Sequence, residues 1–87
     1  MIWCVDDDSA IRDIEVYTLN ATGFEAKGFA DGVSMLHALS EEKPQLIILD
    51  IMMPELDGVE VLKKLRAMTE TQKIPVIMAT AKGMEYD

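Results

Sequence analysis

Two apolar runs in this chain end in acid. Ile2-Trp3-Cys4-Val5 runs into Asp6-Asp7-Asp8, and Leu46-Ile47-Ile48-Leu49 runs into Asp50. A further run, Val76-Ile77-Met78-Ala79, is followed by the hydroxyl residue Thr80. A single aspartate after a strand is most often a turn residue or a helix cap, and Asp8 fits that description. An acid pair after one buried strand and a lone acid after another form a rarer pattern. If the first and third strands are neighbours, Asp6, Asp7 and Asp50 converge in one crevice. Carboxylates that close repel one another strongly in a partly dry site. They then take up a proton or recruit a cation. Hard oxygen ligands at short range suit Mg²⁺, which keeps several waters and favours phosphate as co-ligand. A carboxylate whose charge is neutralised by a metal with open positions can act as a nucleophile toward phosphorus. Thr80 would stand beside Asp50, with a hydroxyl able to hydrogen-bond a phosphoryl oxygen.

Such a site requires strands that end side by side. The three apolar runs do not alternate with polar residues, which is the pattern of strands buried on both faces of a parallel sheet. The glycine-bounded segment "GFEAKGFADG" reads as a weaker edge strand around Phe24–Phe29. Helical patterns lie between the strands. Ser9 is placed to cap the first helix, Ile11, Ile14, Tyr17, Thr18 and Ala21 share one stripe on it, and Gly23 ends it. Val33, Leu36 and Leu39 form a second stripe, closed by Pro44. Val61, Leu62 and Leu65 form a third, after Gly58. The order β-α-β-α-β-α-β implies an α/β fold with a parallel sheet, right-handed crossovers and helices on both faces. In such sheets ligands bind beyond the carboxyl ends of the strands, where the strand order reverses.

Bulk composition sets limits on the rest. The 87 residues, with 49% apolar and 28% charged, suit one small globular domain. A formal net charge of −8 argues against a nucleic-acid surface and favours a cation ligand or basic partners. The lone Cys4 excludes an internal disulfide and, with no signal-peptide pattern at the start, points to a reducing cytoplasm. No apolar run approaches the roughly 20 residues that span a bilayer. Cys4 itself reads as a small buried hydrophobe, and His37 as a solvated residue off its helix's apolar stripe.

The motifs "VDDDSAIR", "LIILDIMMPELDG" and "VIMATA" resemble, in order and spacing, the receiver domain of two-component response regulators, and the likeness covers essentially residues 1–87. The resemblance implies a flavodoxin-like, doubly wound parallel sheet of strand order 2-1-3-4-5, of which this chain supplies 2-1-3-4. It implies that Asp50 accepts a phosphoryl group from a sensor histidine kinase. It implies that Asp6 and Asp7 are the acid pair around Mg²⁺, with Asp50 and the backbone carbonyl of Met52 as further ligands. Thr80 becomes the switch hydroxyl, and Pro54 and Gly58 shape the loop after the third strand. The function implied is phosphorelay signalling rather than enzymatic turnover.

The likeness stops short of the family's fourth helix, fifth strand and fifth helix. The lysine and the aromatic that the family carries on strand five have no counterpart, although Lys82 lies two residues past Thr80. No effector domain is expected within these residues. Val76–Ala79 is then expected as an exposed edge strand, and one sheet face as covered by the first helix alone, with Val16 and Leu19 facing the gap. Both features favour self-association of two copies. Two rival functions remain on the residues alone. One is a phosphatase of the haloacid dehalogenase type with Asp6 as nucleophile, since Asp6 and Asp8 make an Asp-x-Asp pattern. The other is a phosphate-independent interaction module.

Overall fold

The computed structural model describes residues 1–51, 53, 57–80 and 83–86, with Thr80 and residues 83–86 as backbone only. Strands β1 (Ile2–Val5), β2 (Ala26–Phe29), β3 (Leu46–Asp50), β4 (Val76–Thr80) and β5 (Gly83–Tyr86) alternate with helices α1 (Ser9–Ala21), α2 (Gly32–Ala38) and α3 (Gly58–Ala67) up to β4. The sheet order is β2-β1-β3-β4-β5. The first four strands pair in parallel, with Val5 opposite both Phe29 and Leu49, and Asp50 opposite Ala79. The α/β doubly wound sheet expected from the apolar runs is therefore present, and in the order 2-1-3-4. Its first helix ends as expected, on Gly23 at φ 99°, a left-handed conformation that glycine adopts without strain.

The fourth strand departs from expectation. Its outer edge is not exposed, because β5 pairs with it antiparallel, Thr80 opposite Gly83 and Ile77 opposite Tyr86. An edge strand leaves a row of N–H and C=O groups without partners. The next segment able to adopt extended structure, Gly83–Tyr86 with its methionine and tyrosine, satisfies them. Edge-to-edge pairing of two copies through β4 thus loses its structural basis.

The main core cluster lies on one side of the sheet. Trp3, Val5, Ile47, Leu49, Val76 and Met78 point to the same face and pack with Met35 and Leu39 of α2, Val61 and Leu65 of α3, and Met53. The Trp3 ring meets Phe29 at 4.8 Å between centroids, tilted by 56°. Helices α2 and α3 are capped by Asp31 and Asp57, whose carboxylates accept from the amides of Ser34 (2.7 Å) and Glu60 (2.9 Å). The Ser34 amide, and then its hydroxyl, hold the Asp31 carboxyl below its usual pKa. Thr71 is buried after α3 and donates its hydroxyl to the Leu65 carbonyl at 2.6 Å, satisfying one of the helix's terminal acceptors. Arg66 draws the same loop in by donating to the carbonyls of Gln72 and Ile74.

On the opposite face, α1 contains no fully buried residue. The stripe of Ile11, Ile14, Tyr17, Thr18 and Ala21 is exposed rather than facing the sheet, with Ile14 65% and Tyr17 75% accessible. The half-buried positions are Arg12, Glu15, Val16 and Leu19, which share a face at spacings of three and four. Val16 and Leu19 therefore cover the sheet and do not point away from it. The cap also moves by one residue. Asp8, not Ser9, is the N-cap, and its carboxylate accepts from the amides of Ala10 and Ile11. Aspartate caps as well as serine, and its anion complements the positive helix N-terminus.

Candidate functional site

The carboxyl ends of β1 and β3 lie side by side because Val5 pairs with Leu49. Asp6 and Asp50 each sit at that end, one residue beyond the paired positions. One carboxylate oxygen from each of Asp6, Asp7 and Asp50 lies within 4.8 Å of the others. The three acids proposed from sequence are thus brought together, from two strand ends and the turn that follows the first. Asp6 is nearly buried at 8% exposure, Asp50 is intermediate and Asp7 is open to solvent. A deep, a middle and an outer carboxylate meet at this edge of the sheet. The arrangement suits a divalent cation held on the protein side by acids and open outward.

Each acid is set by local backbone bonds. The Asp6 amide donates to the Phe29 carbonyl at 3.1 Å, extending the β1–β2 ladder by one step. Its Oδ1 accepts from the Asp8 amide at 2.9 Å, a tight turn that aims the second oxygen elsewhere. The Asp6 carbonyl accepts from Arg12 Nη1 at 2.8 Å. Beyond Asp50, the Ile51 amide donates to the Ala79 carbonyl at 3.3 Å, and the Ile51 carbonyl accepts from Gly58 at 2.9 Å. Gly58 is required here. A Cβ at that position would lie 2.5 Å from the Asp50 carbonyl oxygen and 2.6 Å from the Ile51 Cα, both backbone atoms that cannot yield. The close approach expected of this glycine is therefore present, and it fixes the start of α3 against the strand end carrying Asp50.

Thr80 continues β4 one residue past Ala79, the partner of Asp50. Its hydroxyl lies outside the described side chains. The Met52 carbonyl, Pro54 and Lys82 lie outside the described residues altogether. Two groups beside the site escaped the sequence reading. Arg12 and Glu15 occupy the half-buried underside of α1, which the apolar stripe assigned to the wrong face. Their spacing with Val16 and Leu19 was the signal that could have found them. Burial raises the Glu15 carboxyl above its usual pKa, and the charges of Asp6 and then Asp50 raise it further. Burial, with a smaller effect of Glu15, pushes the Cys4 thiol up to about 11. Cys4 is therefore a protonated core residue and not a thiolate nucleophile.

The comparisons with known proteins agree with this geometry. The family model for the response regulator receiver domain matches residues 2–87. The alkaline phosphatase synthesis transcriptional regulatory protein PhoP of Bacillus subtilis is 41% identical over 86 residues, which are 99% of this chain and 35% of that protein. The phosphate regulon transcriptional regulatory protein PhoB of Escherichia coli is 37% identical over 86 residues, 99% of this chain and 38% of that protein. The chain thus spans little more than a third of the length of these curated relatives. Among solved structures, the N-terminal domain of a response regulator receiver protein from Methanoculleus marisnigri aligns with TM-score 0.88 and 39% identity, over 92% of this chain and 65% of that one. The chemotaxis protein CheY4 of Vibrio cholerae aligns with TM-score 0.84 and 31% identity, over 88% of this chain and 64% of that one. With acids, fold and family model in agreement over nearly every residue, the chain belongs to the response regulator receiver domain family and is a module of phosphorelay signalling.

Proposed function

We propose that Asp50 is the phosphoacceptor of this receiver domain, with Asp6 and Asp7 holding Mg²⁺ beside it and a sensor histidine kinase as phosphoryl donor. The observation that carries the reading is the convergence of these three carboxylates within 4.8 Å at the carboxyl edge of the sheet. The donor set fits the ion. Asp6, Asp7 and Asp50 would each offer one carboxylate oxygen, and these oxygens already lie near enough for one ion to draw them together. Carboxylate oxygens are the hard ligands that Mg²⁺ takes, and the open side toward Asp7 leaves room for water and phosphate. The Met52 carbonyl is a further proposed ligand.

When bound, Mg²⁺ supplies charge neutralisation for the phosphoryl oxygens and the acceptor. The chain's own residues do the rest. Asp50 offers a carboxylate oxygen to phosphorus as the bond from phosphorus to the donor imidazole nitrogen breaks, the electron pair staying on that nitrogen, leaving an acyl phosphate on Asp50 and, with one proton on the ring, a neutral histidine on the kinase. Asp6, held at its amide, carbonyl and Oδ1, would offer the ion a carboxylate oxygen in a fixed direction. Thr80, adjacent to the residue paired with Asp50, is the proposed switch. Its hydroxyl donates to the new phosphoryl oxygens, and the shift it brings to the end of β4 is the output signal.

Incubation with acetyl phosphate and Mg²⁺, read by intact mass and peptide mapping, tests the assignment. The acyl phosphate is expected on Asp50, and Asp50→Asn is expected to abolish it. Phosphate on Asp6 would instead favour the dehalogenase-type phosphatase. Against that reading, Asp6 is nearly buried and one of its oxygens is already engaged by the Asp8 amide. Self-association is a second proposal, now through the face that carries Ile11, Ile14 and Ile48 and not through β4. Light scattering at micromolar concentration should then show dimers that Ile14→Glu disperses, and a concentration-independent monomer would end the idea.

A further inference from the structure

We infer that Arg12 is a positioning residue for the acid pair, and that Gly28 exists in β2 to seat it. The inference rests on the proposed Mg²⁺ site. Arg12 Nη1 donates to the Asp6 carbonyl at 2.8 Å in a partly buried position. That carbonyl belongs to the same planar peptide unit as the Asp7 amide. A guanidinium that fixes the carbonyl therefore fixes the link between the two acids, and with it the direction in which each carboxylate leaves the backbone. The hold is closed on every side. The Asp6 amide is tied to Phe29 of β2, the Asp8 amide is tied to Asp6 Oδ1, and the Arg12 amide donates to the Asp8 carbonyl at 3.0 Å as the first bond of α1. One residue after another, the loop from β1 into α1 is closed by these contacts.

The reach of Arg12 across the sheet needs space. Its stem crosses β2 at Gly28, where a Cβ would lie 2.9 Å from Arg12 Cγ, 3.0 Å from Cδ and 3.4 Å from Val16 Cγ2. Gly28 is in an ordinary strand conformation, since Gly23 is the glycine with positive φ, so backbone freedom does not explain it. The absent side chain does. Any other residue at position 28 displaces the arginine stem and pulls the guanidinium away from Asp6.

The sign of the effect separates positioning from simple charge. Arg12 is a cation near a cation site. If it acted only through its charge, removing it would tighten Mg²⁺ binding. If it positions the acids, removing it weakens binding, by about tenfold for the loss of a group that orients metal ligands. Gly28→Ala keeps the charge and moves only the stem, so it should weaken binding in the same direction. The test is Mg²⁺ titration by calorimetry on wild type, Arg12→Gln and Gly28→Ala, together with amide hydrogen exchange at Asp8 in metal-free protein. Weaker Mg²⁺ binding and faster Asp8 exchange in both variants, with the rest of the fold retained, are the expected results. Unchanged or tighter binding with unchanged Asp8 exchange overturns the inference. Should Arg12→Gln fail to fold, Gly28→Ala decides alone by the same two readings. Should wild type bind no Mg²⁺, the metal reading falls, and Asp8 exchange still decides whether Arg12 holds the loop.

Discussion

The two faces of the sheet carry similar apolar content and are covered very differently. Toward α2 and α3, Trp3, Val5, Ile47, Leu49 and Val76 are essentially inaccessible and meet equally buried residues from both helices. Toward α1, Ile2 and Cys4 are buried but Ile48 and Ile77 only half-buried, and the helix above them contributes Arg12, Glu15, Val16 and Leu19. Its larger apolar residues, Ile11, Ile14 and Tyr17, point to solvent. One face is a packed core. The other is a helix laid on the sheet by Val16, Leu19 and the stems of Arg12 and Glu15, with an open groove beside it lined by Ile14, Glu15, Thr18, Leu19 and Ile48. The acidic site lies where the two meet, at strand ends shared by both faces. Its frame is therefore built partly from the dense side, through Gly58 and α3, and partly from the sparse side, through Arg12.

The largest expected effect tests that contrast directly. Leu65→Ala removes a fully buried side chain from the dense face and should cost about 3 kcal/mol, counting both lost transfer energy and the cavity left behind. Ile14→Ala on the sparse face should change stability by less than about 0.5 kcal/mol, since little of the side chain is withdrawn from water. Chemical denaturation of the two variants measures the difference. Equal losses would mean that α1 is packed as tightly as α3, and the contrast would fail.

A smaller effect comes from the seam. Mg²⁺ at ten times its Kd should stabilise the fold by about 1.4 kcal/mol, because the ion binds the assembled crevice and not the unfolded chain. A thermal melt with and without Mg²⁺ checks this, and Asp50→Asn should remove most of the gain. An equal gain in the variant would place the ion away from Asp50. Because the ion touches neither hydrophobic face, the increment should persist in Ile14→Ala.

What the sequence disclosed follows the same division. The strands of the dense face are continuous apolar runs, so their ends, and with them Asp6, Asp7 and Asp50, could be located by inspection. Parallel pairing then dictates that neighbouring ends meet. The sparse face was misread because an apolar stripe on a helix is ordinarily its buried side. On α1 the stripe of Ile11, Ile14 and Tyr17 is exposed, and Val16 and Leu19 lie against the sheet together with the apolar stems of Arg12 and Glu15. Periodicity cannot separate two faces that both contain apolar carbon. The cap on Asp8 in place of Ser9 reflects two adjacent residues of nearly equal capping ability. Strand β5 was invisible because a short segment of mixed character pairs only when a neighbouring edge offers it partners. Nothing in the sequence singled out Thr71, and the position of the Leu65 carbonyl explains its burial.

The smallest effect probes Glu15, a half-buried carboxylate on the sheet-facing side of α1. Its pKa is raised first by burial and then by the charges of Asp6 and Asp50. Between its ordinary value of 4.5 and the raised one, the folded state holds a proton that the unfolded state has released. Stability attributable to Glu15 is therefore full below pH 4.5 and is lost as pH rises through the raised value. Glu15→Gln, which never ionises, should melt at the same temperature as wild type at acid pH and at a higher one at neutral pH. Mg²⁺ gives the experiment its resolving power. An ion between Asp6 and Asp50 offsets the charges that disfavour ionised Glu15, so the advantage of the variant at neutral pH should shrink when Mg²⁺ is added. An advantage unchanged by Mg²⁺ would mean that burial alone sets the Glu15 carboxyl, and that the sparse face is electrically separate from the site at its edge.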